Sequence, residues 1–153
     1  MAQYVRAREL NPNDAELLAE MGNLLIYMGQ PKQAINQVKE AIRLNPFHDN
    51  WYVEYLGWAY EEVGMPKEAI GILEQAIDIQ NPDEEEFWYW ATLAAAYAHP
   101  TVGRMDDARK IVKTILSREP EFSISKKVAR YPYRTRELTD RYVNALRRAG
   151  LPE

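Results

Sequence analysis

Residues 45–82 read NPFHDNWYVEYLGWAYEEVGMPKEAIGILEQAIDIQNP, opening and closing on the same Asn-Pro step. Between the two steps lie two runs whose apolar residues recur at helical spacing. Val53, Leu56, Gly57 and Tyr60 belong to the first run, and Ala69, Leu73 and Ala76 to the second. Gly64-Met65-Pro66 divides them. Glycine ends a helix readily because it accepts the left-handed conformation, and proline starts one because its missing N–H costs nothing in the first turn. The stretch therefore predicts two antiparallel helices joined by a tight turn.

The same grammar appears on both sides. Upstream, Leu18, Met21, Gly22 and Leu25 are followed by Gly29-Gln30-Pro31 and then by Ala34, Val38 and Ala41. Downstream, Trp90, Leu93, Ala94 and Tyr97 are followed by Ala108, Val112 and Ile115. Asn11-Pro12, Asn45-Pro46, Asn81-Pro82 and Glu119-Pro120 punctuate the chain at intervals of 34, 36 and 38 residues. A fixed period of this size marks a repeat array. Asn13 with Glu16, and Asp83 with Glu86, have the spacing of N-terminal capping pairs. The predicted fold is all-α: a right-handed α-solenoid of antiparallel helix hairpins, with about three units, an N-terminal half-repeat and a C-terminal capping helix. Expected boundaries are 13–48, 49–82 and 83–120 for the units. Residues 1–12 would be the second helix of a truncated repeat, and 121–153 the capping segment.

Small residues recur where the helices of a hairpin should approach most closely: Gly22 with Ala34, Gly57 with Ala69, and Ala94 with Ala108. Axes come within about 8–10 Å only when such contacts are small. The first two pairs are 12 residues apart and the third 14, so the loop at 98–103 is longer and is expected to protrude. At the start, Tyr4, Ala7 and Leu10 parallel Val38, Ala41 and Leu44, but no partner helix precedes them. The expectation is a chain cut from a longer protein, the alternative being a short natural cap helix. At the other end Ser123–Arg130 reads as a short helix broken by Tyr131-Pro132-Tyr133. Thr135 then caps a last helix stopped by Gly150, with Leu138, Tyr142, Ala145, Leu146 and Ala149 as its apolar stripe. One face would lie on the last repeat and one in solvent.

The pattern W-x2-L-G-x2-Y, then A-x3-F and a closing proline, is the tetratricopeptide repeat (TPR) signature. Trp90-x2-Leu93-Ala94-x2-Tyr97 and Val53-x2-Leu56-Gly57-x2-Tyr60 resemble it. The ending from Pro120 through Tyr131-Pro-Tyr-Arg to Glu153, with Asn45-Pro-Phe-His-Asp-Asn-Trp-Tyr, is similar to the C-terminal TPR region of bacterial class III adenylate/guanylate cyclase-like proteins. That resemblance covers only the non-catalytic part of such proteins and carries over no catalytic residue. It implies a signalling parent and a protein-interaction role.

The concave face of such an array is lined by the first helix of each hairpin. It should include Glu16, Ala19, Asn23 and Tyr27, then Trp51, Glu54, Trp58 and Glu61, then Trp88, Ala91 and Ala95. Asn23, Tyr27, Trp51, Glu54, Trp58, Glu61 and Trp88 are the candidate partner-binding residues. Aromatics beside acids suit a peptide with apolar anchors and basic flanks. The alternative is that the tryptophans pack between helices or fill the groove themselves. A carboxylate clamp of the chaperone-binding type would need Lys, Arg and Asn here. Only Asn23 fits, since Ala19, Glu54, Tyr55, Ala91 and Thr92 hold the other positions.

Charge is unevenly spread. From Asp14 to Glu86 there are 15 acids and 4 bases, and from Arg104 to Arg148 there are 13 bases and 6 acids. An acidic body and basic tail could meet between copies, so self-association into homo-oligomers is the second expectation. The chain has no cysteine, which excludes disulfides and thiol chemistry, and a cytoplasmic location is expected. No stretch approaches the roughly 20 apolar residues of a membrane span. Glu84-Glu85-Glu86 suits a helix N-terminus, and His48 and His99 lie in separate loops without a ligand pattern. No metal, cofactor or catalytic residue is expected. Lys126, Lys127 and Arg130 are basic but belong to no recognised nucleic-acid motif, so nucleic acid is not expected as a partner.

Overall fold

The computed structural model describes residues 2–76, 87–128 and 131–153. Asn81-Pro82, the Asp83–Glu86 capping pair, the Glu84–Glu86 run and Arg130 lie outside the described residues. Those described form nine helices and no strand: α1 (Ala2–Leu10), α2 (Ala15–Tyr27), α3 (Pro31–Leu44), α4 (Asn50–Glu62), α5 (Pro66–Ala76), α6 (Phe87–Tyr97), α7 (Met105–Arg118), α8 (Ile124–Val128) and α9 (Arg136–Ala149). Helices α2/α3, α4/α5 and α6/α7 pack as hairpins, and α3 on α4 and α5 on α6 join one hairpin to the next. The first helices α2, α4 and α6 also touch in sequence order, which makes the array a solenoid.

Local chemistry explains the element ends. Asp14, rather than the expected Asn13, is the N-cap of α2: its Oδ1 accepts the Leu17 N–H at 3.0 Å. The chain enters through Asn11-Pro12, and the carboxylate one residue later is the one that reaches the third helical residue. Gly29 and Gly64 take φ of 75° and 74° to stop α2 and α4, and Pro31 and Pro66 start α3 and α5. At the far end Thr135 Oγ1 accepts the Leu138 N–H, and Gly150 at φ 97° ends α9.

The longer third loop closes on its own backbone, with Pro100, Thr101 and Gly103 exposed. His99 O accepts the Val102 and Gly103 N–H groups, Arg104 N–H donates to Tyr97 O at 2.9 Å, and Ala98 is buried. Arg104 then spans Glu74 (2.9 Å) and Asp107 (2.8 Å) above the Tyr97 ring. The extra residues satisfy their own backbone at the surface.

The hairpins close on glycine. A Cβ built on Gly57 would lie 2.8–2.9 Å from three carbons of the fully buried Leu73, and one on Gly22 would collide with Val38 Cγ2. The nearest side chains are thus Val38 and Leu73 rather than the expected Ala34 and Ala69, and Ala34, Ala69, Ala94 and Ala108 are all fully buried. By contrast a Cβ on Gly71, on the exposed side of α5, meets nothing within 4 Å. Gly57→Ala is expected to lower stability by about 1–3 kcal/mol through overpacking. Gly71→Ala should raise it by roughly 0.5–1 kcal/mol through chain entropy. Urea unfolding of the two variants checks both signs.

Candidate functional site

The central helix α4 touches α2, α3, α5 and α6, so it has little solvent-facing surface left. Residues 56–60 are all buried, Trp58 at 6% exposure. That face does not open into solvent. Tyr27 of α2, Trp58 of α4 and Trp88 of α6 meet three tyrosines of the chain's own tail, Tyr131, Tyr133 and Tyr142. Trp88 lies 4.9 Å from Tyr131, Trp58 5.4 Å from Tyr142, and Tyr27 5.3 Å from Tyr133, centroid to centroid. Tyr27 and Trp58 also meet edge to face at 5.1 Å. Such edge and tilted pairs are each worth about 0.5–1.5 kcal/mol beyond the area they bury.

The tail reaches further than a cap on the last hairpin. Helix α9 packs on α6 and α7, yet Leu138 lies against Gly29 of the first hairpin. It engages the helix ends in a repeating way. The Arg134 N–H donates to Tyr27 O at 2.9 Å, an orphan carbonyl at the end of α2. At the equivalent position of the second hairpin, 35 residues on, Glu62 O accepts from Arg141 Nη2. Arg148 faces Glu61 at 3.6 Å and, after burial, is the second cause that lowers the pKa of His99, where the third first-helix ends. Positions 134, 141 and 148 are seven apart. Of these only Arg141 and Arg148 lie in α9, and both face the end of α4, at Glu62 and Glu61. Cations also suit the negative ends of helix dipoles. The tail thus meets the end of α2 through the Arg134 backbone N–H and the end of α4 through the Arg141 and Arg148 guanidiniums.

The electrostatics under the tail are those of a dry seam. Burial pushes the Glu54 carboxyl up to about 8, and the phenols of Tyr27, Tyr55, Tyr131 and Tyr142 all lie within its field. Burial raises Glu61 to about 7, partly opposed by Arg148, and raises Glu62, partly opposed by Arg141. The opposing charges do not win because the guanidiniums are half exposed and stand 3.4–3.6 Å from the carboxylates. Glu61 Oε2 and Tyr133 OH are buried without a hydrogen-bond partner among the described residues.

Five of the residues anticipated on the concave face, Tyr27, Glu54, Trp58, Glu61 and Trp88, therefore gather beneath the tail. Trp51 stands apart, packed on Tyr52 at 4.2 Å and Tyr55 at 5.3 Å. Asn23 Oδ1 is buried with no partner among the described residues. Tyr131, Tyr133, Tyr142, Glu62, Arg141 and Arg148 were not anticipated. The seven-residue spacing of arginines beside Tyr-Pro-Tyr was the available signal. Among the described residues no group of three or more His, Asp or Glu could hold a metal ion, and no helix is long and apolar enough to cross a membrane.

A tetratricopeptide repeat family model matches residues 15–48, the hairpin of α2 and α3 with its flanking turns. The structure is similar to two crystal structures of MamA. Each is 22% identical over 95% of this chain, covers 82% or 76% of the MamA chain, and has a TM-score of 0.65. It is also similar to YrrB, described as a TPR protein with an unusual peptide-binding site. There the identity is 20% over 97% of this chain and 73% of the other, with a TM-score of 0.64. No curated protein matches the chain in sequence. The fold is a TPR-type solenoid.

The buried carboxyls make stability depend on pH. Below about 4.5 Glu54 is protonated in both the folded and the unfolded chain. From there to about 8 the unfolded carboxyl ionises while the folded one keeps its proton. Each unit of rising pH then favours unfolding by up to about 1.4 kcal/mol. Glu54→Gln should flatten this decline and leave the variant more stable than the parent at pH 8. Urea midpoints at pH 5 and pH 8 check it, with Glu61 and Glu62 supplying any residual slope.

Proposed function

We propose that this chain is a non-catalytic protein–protein interaction module whose receptor surface is the concave groove of α2, α4 and α6. The observation that carries this is the groove's ability to hold a polypeptide segment, since it already holds residues 131–148 on Tyr27, Trp58 and Trp88. An amphipathic helix laid into an apolar groove is a recurring way for a peptide to dock. The likeness to YrrB, described as having a peptide-binding site, supports the same reading. Asn23, Trp51, Glu54 and Glu61 are the further candidate contacts, and the partner offers apolar anchors with basic flanks.

The units of the module are taken as 13–48, 49–82 and 83–120, with 1–12 a half-repeat and 121–153 the closing segment. Its context, on the resemblance of its ending, is the regulatory or assembly segment of a larger bacterial adenylate/guanylate cyclase-like signalling protein in the cytoplasm. Deleting residues 13–153 from the parent protein is expected to change its complexes and its cyclic-nucleotide output. Unchanged complexes and output would refute the proposal.

Self-association is the second reading, and one observation favours it: Leu10 at the end of α1 is 74% exposed. Its charge argument is weaker, because acidic body and basic tail already pair within one copy through Glu61–Arg148 and Glu62–Arg141. Sedimentation at low and high salt discriminates, a monomer at both removing this reading.

A further inference from the structure

We infer that the cleft between α7 and α9 is a second docking surface, and that it takes an acidic amphipathic helix of a partner protein. None of its residues belongs to the aromatic groove, so it goes beyond the reading above.

The cleft arises where the array loosens. Each earlier second helix packs broadly on the next first helix, α3 on α4 and α5 on α6, whereas α7 touches α9 only sparingly. A cleft of about 480 Å³ lies between them. Its α7 wall is Arg109, Val112, Lys113, Leu116 and Ser117, and Ala149 of α9 faces it. Those five residues stand at i, i+3, i+4, i+7 and i+8, one continuous face of a helix. Eight steps along a helix span about 12 Å, a length that two turns of another helix cover. The wall also departs from the earlier hairpins. The residue after each matched alanine (Ala34, Ala69, Ala108) is Ile35, then Ile70, then Arg109. Ile35 is half-buried and Ile70 buried, while Arg109 is exposed. Where α3 and α5 present an apolar side chain to the array, α7 presents a guanidinium.

Charge and shape choose the occupant. No acidic side chain lines the cleft. Lys113 makes no ion pair among the described residues, and the bond from Arg109 to Asp106 joins two exposed side chains, a kind of pair that contributes little. Two cations four residues apart are thus open to a partner's carboxylates. The apolar floor is recessed, with Val112 at 7% and Ala149 at 1% exposure, so a flat bilayer does not reach it, whereas side chains standing out from a helix do. No aromatic ring lines it to stack a base. A second copy of this chain offers no fitting helix among the described residues. Its exposed large apolar residues are Leu10, Phe47 and Met65; the last two sit in turns, and the helix of Leu10 carries Arg6 and Arg8 against Glu9 alone. The segment that fits is a partner's helix with apolar residues for the floor and acids four apart for Arg109 and Lys113.

The test uses the full chain with labelled methyl groups and two synthetic helical peptides that share a leucine stripe, one flanked by Glu and one by Lys. The acidic peptide is expected to shift the Val112, Leu116 and Ala149 methyl resonances and to bind at least about tenfold more tightly than the basic one. Salt should narrow that difference. R109E/K113E should reverse the preference, and Lys126→Glu, an exposed cation outside the cleft, should leave it unchanged. No shift with either peptide, or an acidic preference that survives R109E/K113E, overturns the inference and leaves the groove reading standing, because that reading is decided by the deletion in the parent protein. Perturbed Tyr27, Trp58 and Trp88 rings with unmoved Val112 and Leu116 methyls put the peptide in the groove and also overturn it. Shifts of the cleft methyls that grow with protein concentration alone make the occupant a second copy. The same methyls broadened by phosphatidylglycerol vesicles but unmoved by either peptide make it a membrane. Either outcome sinks the partner assignment. Should R109E/K113E fail to fold, the shifts and the comparison of the two peptides on the parent chain still decide.

Discussion

Everything in this molecule follows from the need to cover the inner face of α4. A helix in the middle of a solenoid has neighbours on both sides and behind, and its remaining face is the wall of the groove. Here that wall carries Trp58, whose exposure is only 6% because Tyr142 and the Tyr131/Tyr133 pair lie over it. Large aromatic surface is the strongest apolar driving force the chain has. The tail is drawn across the groove to satisfy it.

Covering that wall has an electrostatic cost. Glu54, Glu61 and Glu62 lie on the same helix and lose water as the tail settles, which raises all three carboxyls. Arg141 and Arg148 offset part of this and hold the tail in register, while Glu54 has only phenols for company. The seam thus combines a large apolar attraction with polar groups that are under-served.

The hairpins themselves were legible in the chain because their signals are local. Gly29 and Gly64 mark positive φ, Pro31 and Pro66 mark first helical residues, and alanines mark close approach. Each depends only on near neighbours along the sequence or on the other helix of the same hairpin. At α2 the cap is Asp14, one residue beyond the expected Asn13. The length of the third loop was equally readable, but the bridge from Arg104 to Glu74, which joins residues 30 apart, was not.

The candidate groove was legible only in part. Tyr27, Trp58 and Trp88 could be placed on one face by repeat spacing, since a 3.6-residue helix and a 34–38-residue period assign faces without any coordinates. Whether that face is open or covered depends on where a segment 43 to 106 residues later in the chain comes to rest. No local pattern encodes such a contact, because it is decided by which surfaces compete for Trp58 once all the helices exist. Sequence alone therefore determined the helices, their pairing into hairpins and the aromatic wall. The tertiary structure alone decided that the wall is covered by the chain's own tail, because long-range burial of aromatic surface, and not helix periodicity, sets that choice.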